Sequence, residues 1–222
     1  MIELLNIDCM KYMAILPDKA FDLAIVDPPY GVDIGGAVGG AGRLVRQVKI
    51  GSKKLSCPKT YRSFDDSQIP GKKYFEELKR VSINQIIFGG NYFINHLHNT
   101  SCIIVWDKDN SGGFADAELA WTSFKTATRI FRFRWNGMLQ QDMKNKETRI
   151  HPTQKPRQLY QWLLKNYAKP GQRILDTHLG SGSSAIAAHY FGCDFVGCEI
   201  DIDYFNAAKE RFDRETRQIA MW

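Results

Sequence analysis

The chain has 222 residues, 44% of them hydrophobic and 24% charged, with a formal net charge of +6. These proportions belong to a soluble globule and exclude a disordered, collagen-like or membrane-embedded chain. Five cysteines, an odd number with no CxxC pair, exclude a disulfide framework and a zinc ribbon.

At roughly 150 residues per domain the length fits a single domain over 1–222. The opening MIELLNIDCM carries Glu3 and Asp8 and no basic n-region, so no signal peptide and a cytoplasmic location are expected. In chain order, 2–7 reads as a strand, 9–16 as a short helix and 21–26 as a buried strand running into Asp27. Residues 85–89 and 102–106 are two further strands, and 128–135 alternates apolar and basic side chains as a half-exposed strand does. A helix over 157–168, a strand over 173–177, a helix over 183–191, a strand over 194–198 and a charged helix over 204–218 complete the pattern. Strands alternating with helices predict a parallel or mixed sheet covered on both faces. Two segments interrupt it. Residues 31–62 carry seven bases, among them Arg43, Arg46, Lys53 and Lys54, against one acid, and read as a long functional loop. Residues 136–150 are polar and lack periodicity.

The run Asp176-Thr177-His178-Leu179-Gly180-Ser181-Gly182-Ser183 leaves a strand and enters a helix. Its glycines allow close backbone approach, and the helix start offers free N–H groups. Glu199 ends the next strand, where an acid accepts hydrogen bonds from ribose hydroxyls. Together these describe a nucleoside-cofactor site. The third glycine of the dinucleotide fingerprint is missing, which counts against a nicotinamide cofactor. Asp27-Pro28-Pro29-Tyr30 lies just past a buried strand, where open α/β sheets place ligands. The prolines stiffen the turn and leave its carbonyls free of competing N–H groups. A carboxylate and a carbonyl there would hold both hydrogens of an exocyclic amine and free its delocalised lone pair. His96, His98 and His189 form no metal-ligand pattern, so no metal is expected. Asp107 to Asn110, with Asp116, Glu118 and Trp121, either border a target pocket or form a polar loop.

These motifs resemble the DNA amino-methyltransferases that use S-adenosylmethionine. Their catalytic tetrapeptide is Asp/Asn/Ser-Pro-Pro-Tyr/Phe, and here it precedes the cofactor glycines, an order similar to that of the beta class. His151-Pro152-Thr153-Gln154-Lys155-Pro156, just before the cofactor strand, is a third match, and the opening Asn6-Ile7-Asp8-Cys9 a fourth. The resemblance spans nearly the whole chain outside 31–62 and 136–150. It departs at His178, where the family usually has an aromatic.

The resemblance implies a Rossmann-like, class I methyltransferase fold: seven strands, one reversed, with helices on both faces. It implies catalysis by Asp27, Pro28, Pro29 and Tyr30, the last stacking on a base flipped out of duplex DNA. Asp176, Gly180 and Gly182 would contact the cofactor, with Asp27, Ser181, Ser183 and His178 beside them. Glu199, followed by Ile200, would hold the ribose. Asp8, followed by Cys9, would lie near the adenine. Thr153 and Lys155 would take the methionine carboxylate. Arg43, Arg46, Lys53, Lys54, Arg132 and Arg134 are the candidates for DNA phosphates, with both irregular segments as DNA-contacting inserts. Asp at the first motif position favours adenine over cytosine as the methylated base. A catalytically silent nucleic-acid-binding subunit is the alternative of another class. Further partners within the scope of the resemblance are a second copy of the chain and a cognate restriction endonuclease.

Overall fold

The structure, a computed structural model, describes residues 1–31, 69–110, 115–136 and 139–217. Arg43, Arg46, Lys53 and Lys54 lie outside the described residues. The chain divides into two compact units: Met1–Pro28 with Pro70–Trp222, and Pro29–Ile69.

Its elements in chain order are β1 (Ile2–Asn6), α1 (Cys9–Ala14), β2 (Phe21–Val26), α2 (Lys72–Val81) and β3 (Ser82–Phe88). Then come β4 (Ile103–Asp107), β5 (Ala117–Thr122), β6 (Arg129–Arg132) and the short β7 (Trp135–Asn136) and β8 (Leu139–Gln140). The chain closes with α3 (Arg157–Tyr167), β9 (Arg173–Asp176), α4 (Ser183–Phe191), β10 (Asp194–Glu199) and α5 (Ile202–Thr216). Among the described residues eight strands form one sheet in the order β1-β10-β9-β2-β3-β5-β4-β6, and β7 and β8 form a separate antiparallel pair. β5 is antiparallel to both of its neighbours, and every other pair in the large sheet is parallel.

The parallel core follows from composition. β2, Phe-Asp-Leu-Ala-Ile-Val, is buried at every position but Asp22, as a strand covered on both faces must be. α1 packs on α2, while α4 lies against both α3 and α5. α4 owes its central place to mostly small side chains: Ser183, Ser184, Ala185, Ala187 and Ala188 are all buried, with Ile186 among them, so neighbours approach it from several sides. It stops at Gly192, whose left-handed backbone (φ 82°) returns its N–H to Ala188 and His189 carbonyls.

From β9 the chain crosses through α4 to β10 on one side, and from β2 it crosses through α2 to β3 on the other. β9 and β2 are adjacent, so the sheet switches direction between them. A crevice outside the carboxyl ends of the strands opens at such a point.

The mixed α/β sheet matches the expected architecture, with one strand more than the seven anticipated. The addition is β5, the reversed strand, which is not among the elements expected from the sequence. α2 is likewise absent from the expected elements, and the β7–β8 pair lies across the junction of the expected strand 128–135 and the polar segment 136–150. Elsewhere boundaries move by a few residues: β3 begins at Ser82, β6 ends at Arg132, and α5 spans Ile202–Thr216. Among the described residues no helix is long and apolar enough to cross a membrane.

Candidate active site

The ends of β1 and β10 build the first wall. Asn6 pairs with Glu199 in register, its side-chain amide donates to the carbonyls of Glu199 and Ile200, and the Ile7 N–H donates to the Glu199 carbonyl. This brings Asp8, the N-cap of α1, beside Glu199; Asp8 Oδ1 accepts the Met10 N–H at 2.7 Å. Ile7, Asp8, Cys9, Thr177, His178, Cys198, Glu199 and Ile200 line a cleft of about 220 Å³. Five of the expected cofactor residues therefore meet in one place: Asp8, Cys9, His178, Glu199 and Ile200.

Glu199 is oriented by backbone. Its Oε2 accepts the Gly180 N–H at 2.9 Å and its Oε1 the Asp201 N–H at 3.0 Å. Burial raises its pKa, partly offset by these donors. Each oxygen keeps lone-pair capacity for a further donor such as a ribose hydroxyl. The loop Leu179–Gly182 closes on itself, with Gly180 at φ 51° and Gly182 at φ 74°. A side chain at Gly182 would be strained, and its Cβ would press on Ala208 at 3.4 Å.

Ser181 and Ser183 are buried and hydrogen-bond each other at 3.1 Å. Arg211 of α5, fully buried, donates to the Ser181 carbonyl and the Ser183 hydroxyl, and its other nitrogens pair with Glu147 and Glu215. These serines shape the loop from behind instead of lining the cleft. Arg211 and Glu147 carried no motif; only their spatial meeting reveals them.

Asp176 ends β9 and is 1% exposed. Ser184 Oγ donates to it at 2.6 Å and the His178 N–H at 3.0 Å. Burial pushes its carboxyl up to about 7, and the charges of Asp27 and Glu199 push the same way. His178 stands edge-on to Tyr74, and Thr177 Oγ1 bridges the Tyr74 hydroxyl (2.7 Å) to His178 Nδ1 (2.9 Å). Burial lowers the His178 pKa to about 4, so its imidazole is neutral near pH 7. Cys9 is driven the other way, up to about 12, first by burial and then by Asp8, so it is a thiol and no nucleophile.

Asp27 follows directly on β2. Its Oδ2 accepts from Lys155 Nζ at 2.6 Å. Lys155 is 5% exposed, its ammonium lies 4.7 Å from the Phe88 ring centroid, and a second carboxylate, Glu118 of β5, lies 3.0 Å away. Lys108 holds the other Glu118 oxygen at 2.5 Å. Burial opposes the Lys155 charge, but Asp27 and Glu118 outweigh it and hold its pKa above the ordinary lysine value. Burial likewise opposes ionisation of Glu118, and Lys155 and Lys108 prevail, holding its pKa below the usual carboxylate range. Thr153 caps His151, with its N–H and hydroxyl 3.3 and 3.0 Å from Nδ1. Thr153 and Lys155 stand outside the cleft lining, Lys155 on Asp27 and Thr153 on His151.

Pro29 and Tyr30 begin the second unit. Arg132 and Arg134 are exposed on and after β6, and each already pairs with a carboxylate, Asp107 and Asp109 respectively.

The donor set suits S-adenosylmethionine. Two carboxylates, Asp8 and Glu199, flank a slot with apolar walls from Ile7 and Ile200, which fits an adenosine. The negative Asp27 and the buried Asp176 lie at the switch point, suited to the cationic end of the molecule.

The chain is 23% identical over 250 residues to the Type II methyltransferase M2.DpnII of Streptococcus pneumoniae, covering 96% of this chain and 90% of that protein. Over 58 residues it is 38% identical to M1.MboII of Moraxella bovis, 26% of this chain and 22% of that one. The fold superposes on the M1.HpyAVI–SAM complex with a TM-score of 0.57 at 20% identity, over 95% of this chain and all of that one. It superposes on the cytosine-N4-specific PvuII DNA methyltransferase with a TM-score of 0.61 at 12% identity, over 95% and 86% of the two chains. The family model described as DNA methylase matches residues 21–210, running from β2 and its Asp27 through the glycine loop and Glu199 into α5, and the chain belongs to this S-adenosylmethionine-dependent N6/N4 DNA methylase family.

Proposed function

We propose that the protein methylates the exocyclic amine of an adenine flipped out of duplex DNA, by direct in-line transfer. The observation that carries this reading is Asp27: a carboxylate fixed by the buried Lys155 at the carboxyl end of β2, beside the sheet's switch point.

S-adenosylmethionine supplies an electrophilic methyl group when bound. The chain's part is to bind, orient and accept hydrogen bonds. Asp8 and Glu199 would receive the adenosine hydroxyl and amine donors, Gly180 and Gly182 would let the backbone come close, and Lys155, held between Asp27 and Glu118, would fix the catalytic carboxylate. Asp27 and the Pro28 carbonyl accept the two hydrogens of the target amine, which weakens conjugation with the ring and exposes the nitrogen lone pair. Tyr30 is the motif's aromatic and serves the flipped base by stacking. Holding the amine in line with the transferable group would provide much of the acceleration. The amine would become acidic only as it gained the methyl, with S-adenosylhomocysteine leaving, and its proton would pass late to Asp27 or water, so Asp27 need not be a strong base. The relatives' designation as Type II methyltransferases supports a place beside a restriction endonuclease.

The test is methyl transfer to unmethylated genomic DNA followed by nucleoside analysis. N6-methyladenine is expected. N4-methylcytosine would keep the mechanism and overturn the choice of base, and no transfer with the cofactor bound would favour a silent subunit. Asp27→Ala should bind S-adenosylhomocysteine while its rate falls by roughly 10²-fold or more, the mark of an interaction made mainly in the transition state. A rate near that of the unaltered protein would remove Asp27 from the mechanism.

A further inference from the structure

We propose that Glu118, gripped by Lys108, is a positioning residue that shares Lys155 with Asp27 and thereby sets how strongly Lys155 draws on the catalytic carboxylate. This rests on the reading of Asp27 as the acceptor of the target amine.

The geometry is a row of alternating charge. Lys108 Nζ lies 2.5 Å from Glu118 Oε1, Lys155 Nζ 3.0 Å from Glu118 Oε2, and Lys155 Nζ 2.6 Å from Asp27 Oδ2. The Lys155 side chain is 4% exposed, so its pairings act in a medium that screens poorly. The β4–β5 pairing builds the outer half of the row. Glu118 sits opposite Trp106 in register, and the Lys108 N–H donates to the Asp116 carbonyl, which places both side chains at one end of the hairpin. β3 separates β5 from β2 in the sheet, and Lys155 spans the gap over the Phe88 ring.

The arrangement solves a conflict. Asp27 must accept a hydrogen bond from the target amine, yet it faces an ammonium that competes for its electron density. Lys155 donates a hydrogen bond to Asp27 Oδ2 at 2.6 Å, whereas Glu118 Oε2 meets the ammonium as an ion pair at 3.0 Å without a hydrogen bond of its own, so one ammonium faces two carboxylates at once. With Glu118 taking part of it, Lys155 stays charged and in place while Asp27 turns its acceptor strength to the amine. Lys108 moderates Glu118 in the same way. The row as a whole is neutral, so removing either outer member leaves a net charge beside Asp27, of opposite sign in the two cases.

That sign difference separates positioning from mere stabilisation. Glu118→Gln leaves the row at +1, which favours the ionised Asp27 but weakens it as an acceptor. The single-turnover rate at saturating cofactor should fall about tenfold, and the pH of its half-maximal acid limb should drop by roughly one unit. Lys108→Met leaves the row at −1 and should move the same limb upward by a similar amount. Among the described residues, the ionisable groups whose charge acts with that of Asp27 include Asp176 of β9, Tyr160 of α3 and Tyr74 of α2, and both variants leave them unchanged.

The experiment measures single-turnover methylation of unmethylated genomic DNA against pH for the wild type, Glu118→Gln, Lys108→Met and Asp27→Asn. Saturation is fixed by calorimetry with S-adenosylhomocysteine, which Glu118→Gln should still bind. Opposite displacements of the limb support the proposal. Displacement in one direction, no displacement, or an effect confined to cofactor affinity overturns it. If Asp27→Asn works at the wild-type rate, the reading of Asp27 itself fails instead. Should Glu118→Gln not fold, the direction of the Lys108→Met limb decides alone.

Discussion

Asp176 takes both of its hydrogen bonds, from Ser184 Oγ and the His178 N–H, from neutral donors, so its charge is costly. An ordinary aspartate ionises near 3.8, whereas burial, helped by the charges of Asp27 and Glu199, puts this one at about 7. Between those values the folded protein holds a proton that the unfolded chain has released, so stability falls as pH rises from about 4 to about 7. Asp176→Asn removes this dependence, because an amide keeps one acceptor for the His178 N–H and can donate to Ser184. At pH 8 the variant should unfold later than the wild type, by a margin on the order of 2–4 kcal/mol, and the margin should vanish near pH 4. Thermal unfolding at the two pH values checks it; an equal margin at both would mean that Asp176 is not destabilised by its charge. Its place in the sequence made Asp176 readable, since an acid before a glycine turn at a strand end has few other uses. Glu118 is readable from sequence only as one of a polar group that either borders a target pocket or forms a loop. Its meaning depends on the register of β5 against β4 and on a lysine 37 residues later, and neither follows from local pattern.

Elements were legible where burial was uniform. β2, β9 and β10 are short apolar runs with turn signals beyond them, and the sequence reading located each within a residue or so. β5 reads Ala-Glu-Leu-Ala-Trp-Thr, and the ion-paired Glu118 breaks its apolar run. α2 buries Tyr74, Phe75, Leu78 and Val81, a helical spacing, yet it follows the long basic segment and was absorbed into its surroundings. The polar stretch 136–150 hid a tie between elements. Glu147 pairs with Arg211 of α5 at 2.7 Å and accepts the N–H of Arg157, the first residue of α3, while Arg211 also holds the glycine loop. Arg211→Met should therefore strand the buried Glu147 carboxylate, whose pKa burial already raises. Urea unfolding should show a loss of about 3–5 kcal/mol, and Arg211→Met combined with Glu147→Gln should lose less than the single variant, because no unpaired charge remains. If the losses of the two single variants simply add in the double variant, the pair is not a unit.

For the whole molecule, the net charge of +6 bears on an anionic partner, and its distribution matters more than its size. Residues 31–62 carry seven bases and one acid, so nearly all of their charge is uncompensated in sequence. Arg132 and Arg134 differ, since Asp107 and Asp109 already neutralise them, with Arg132 Nε 2.8 Å from Asp107 Oδ2. A side chain that must leave a carboxylate to meet a phosphate releases fewer counterions in net terms. Each phosphate neutralised contributes about 0.9 to the slope of log affinity against log salt. Replacing Arg43, Arg46, Lys53 and Lys54 together by serine should therefore lower that slope by roughly 3–4. Replacing Arg132 and Arg134 should lower it by well under the ~2 that two free contacts would give. Duplex binding by fluorescence anisotropy across a salt series, with S-adenosylhomocysteine present, measures both. Equal loss per residue in the two variants would show that the aspartates do not hold their arginines back. A slope unchanged in the fourfold variant would move the DNA-binding face away from 31–62 altogether. The sequence could nominate these bases by sign alone, because ion pairing across neighbouring strands is a property of the sheet and is invisible in the order of residues.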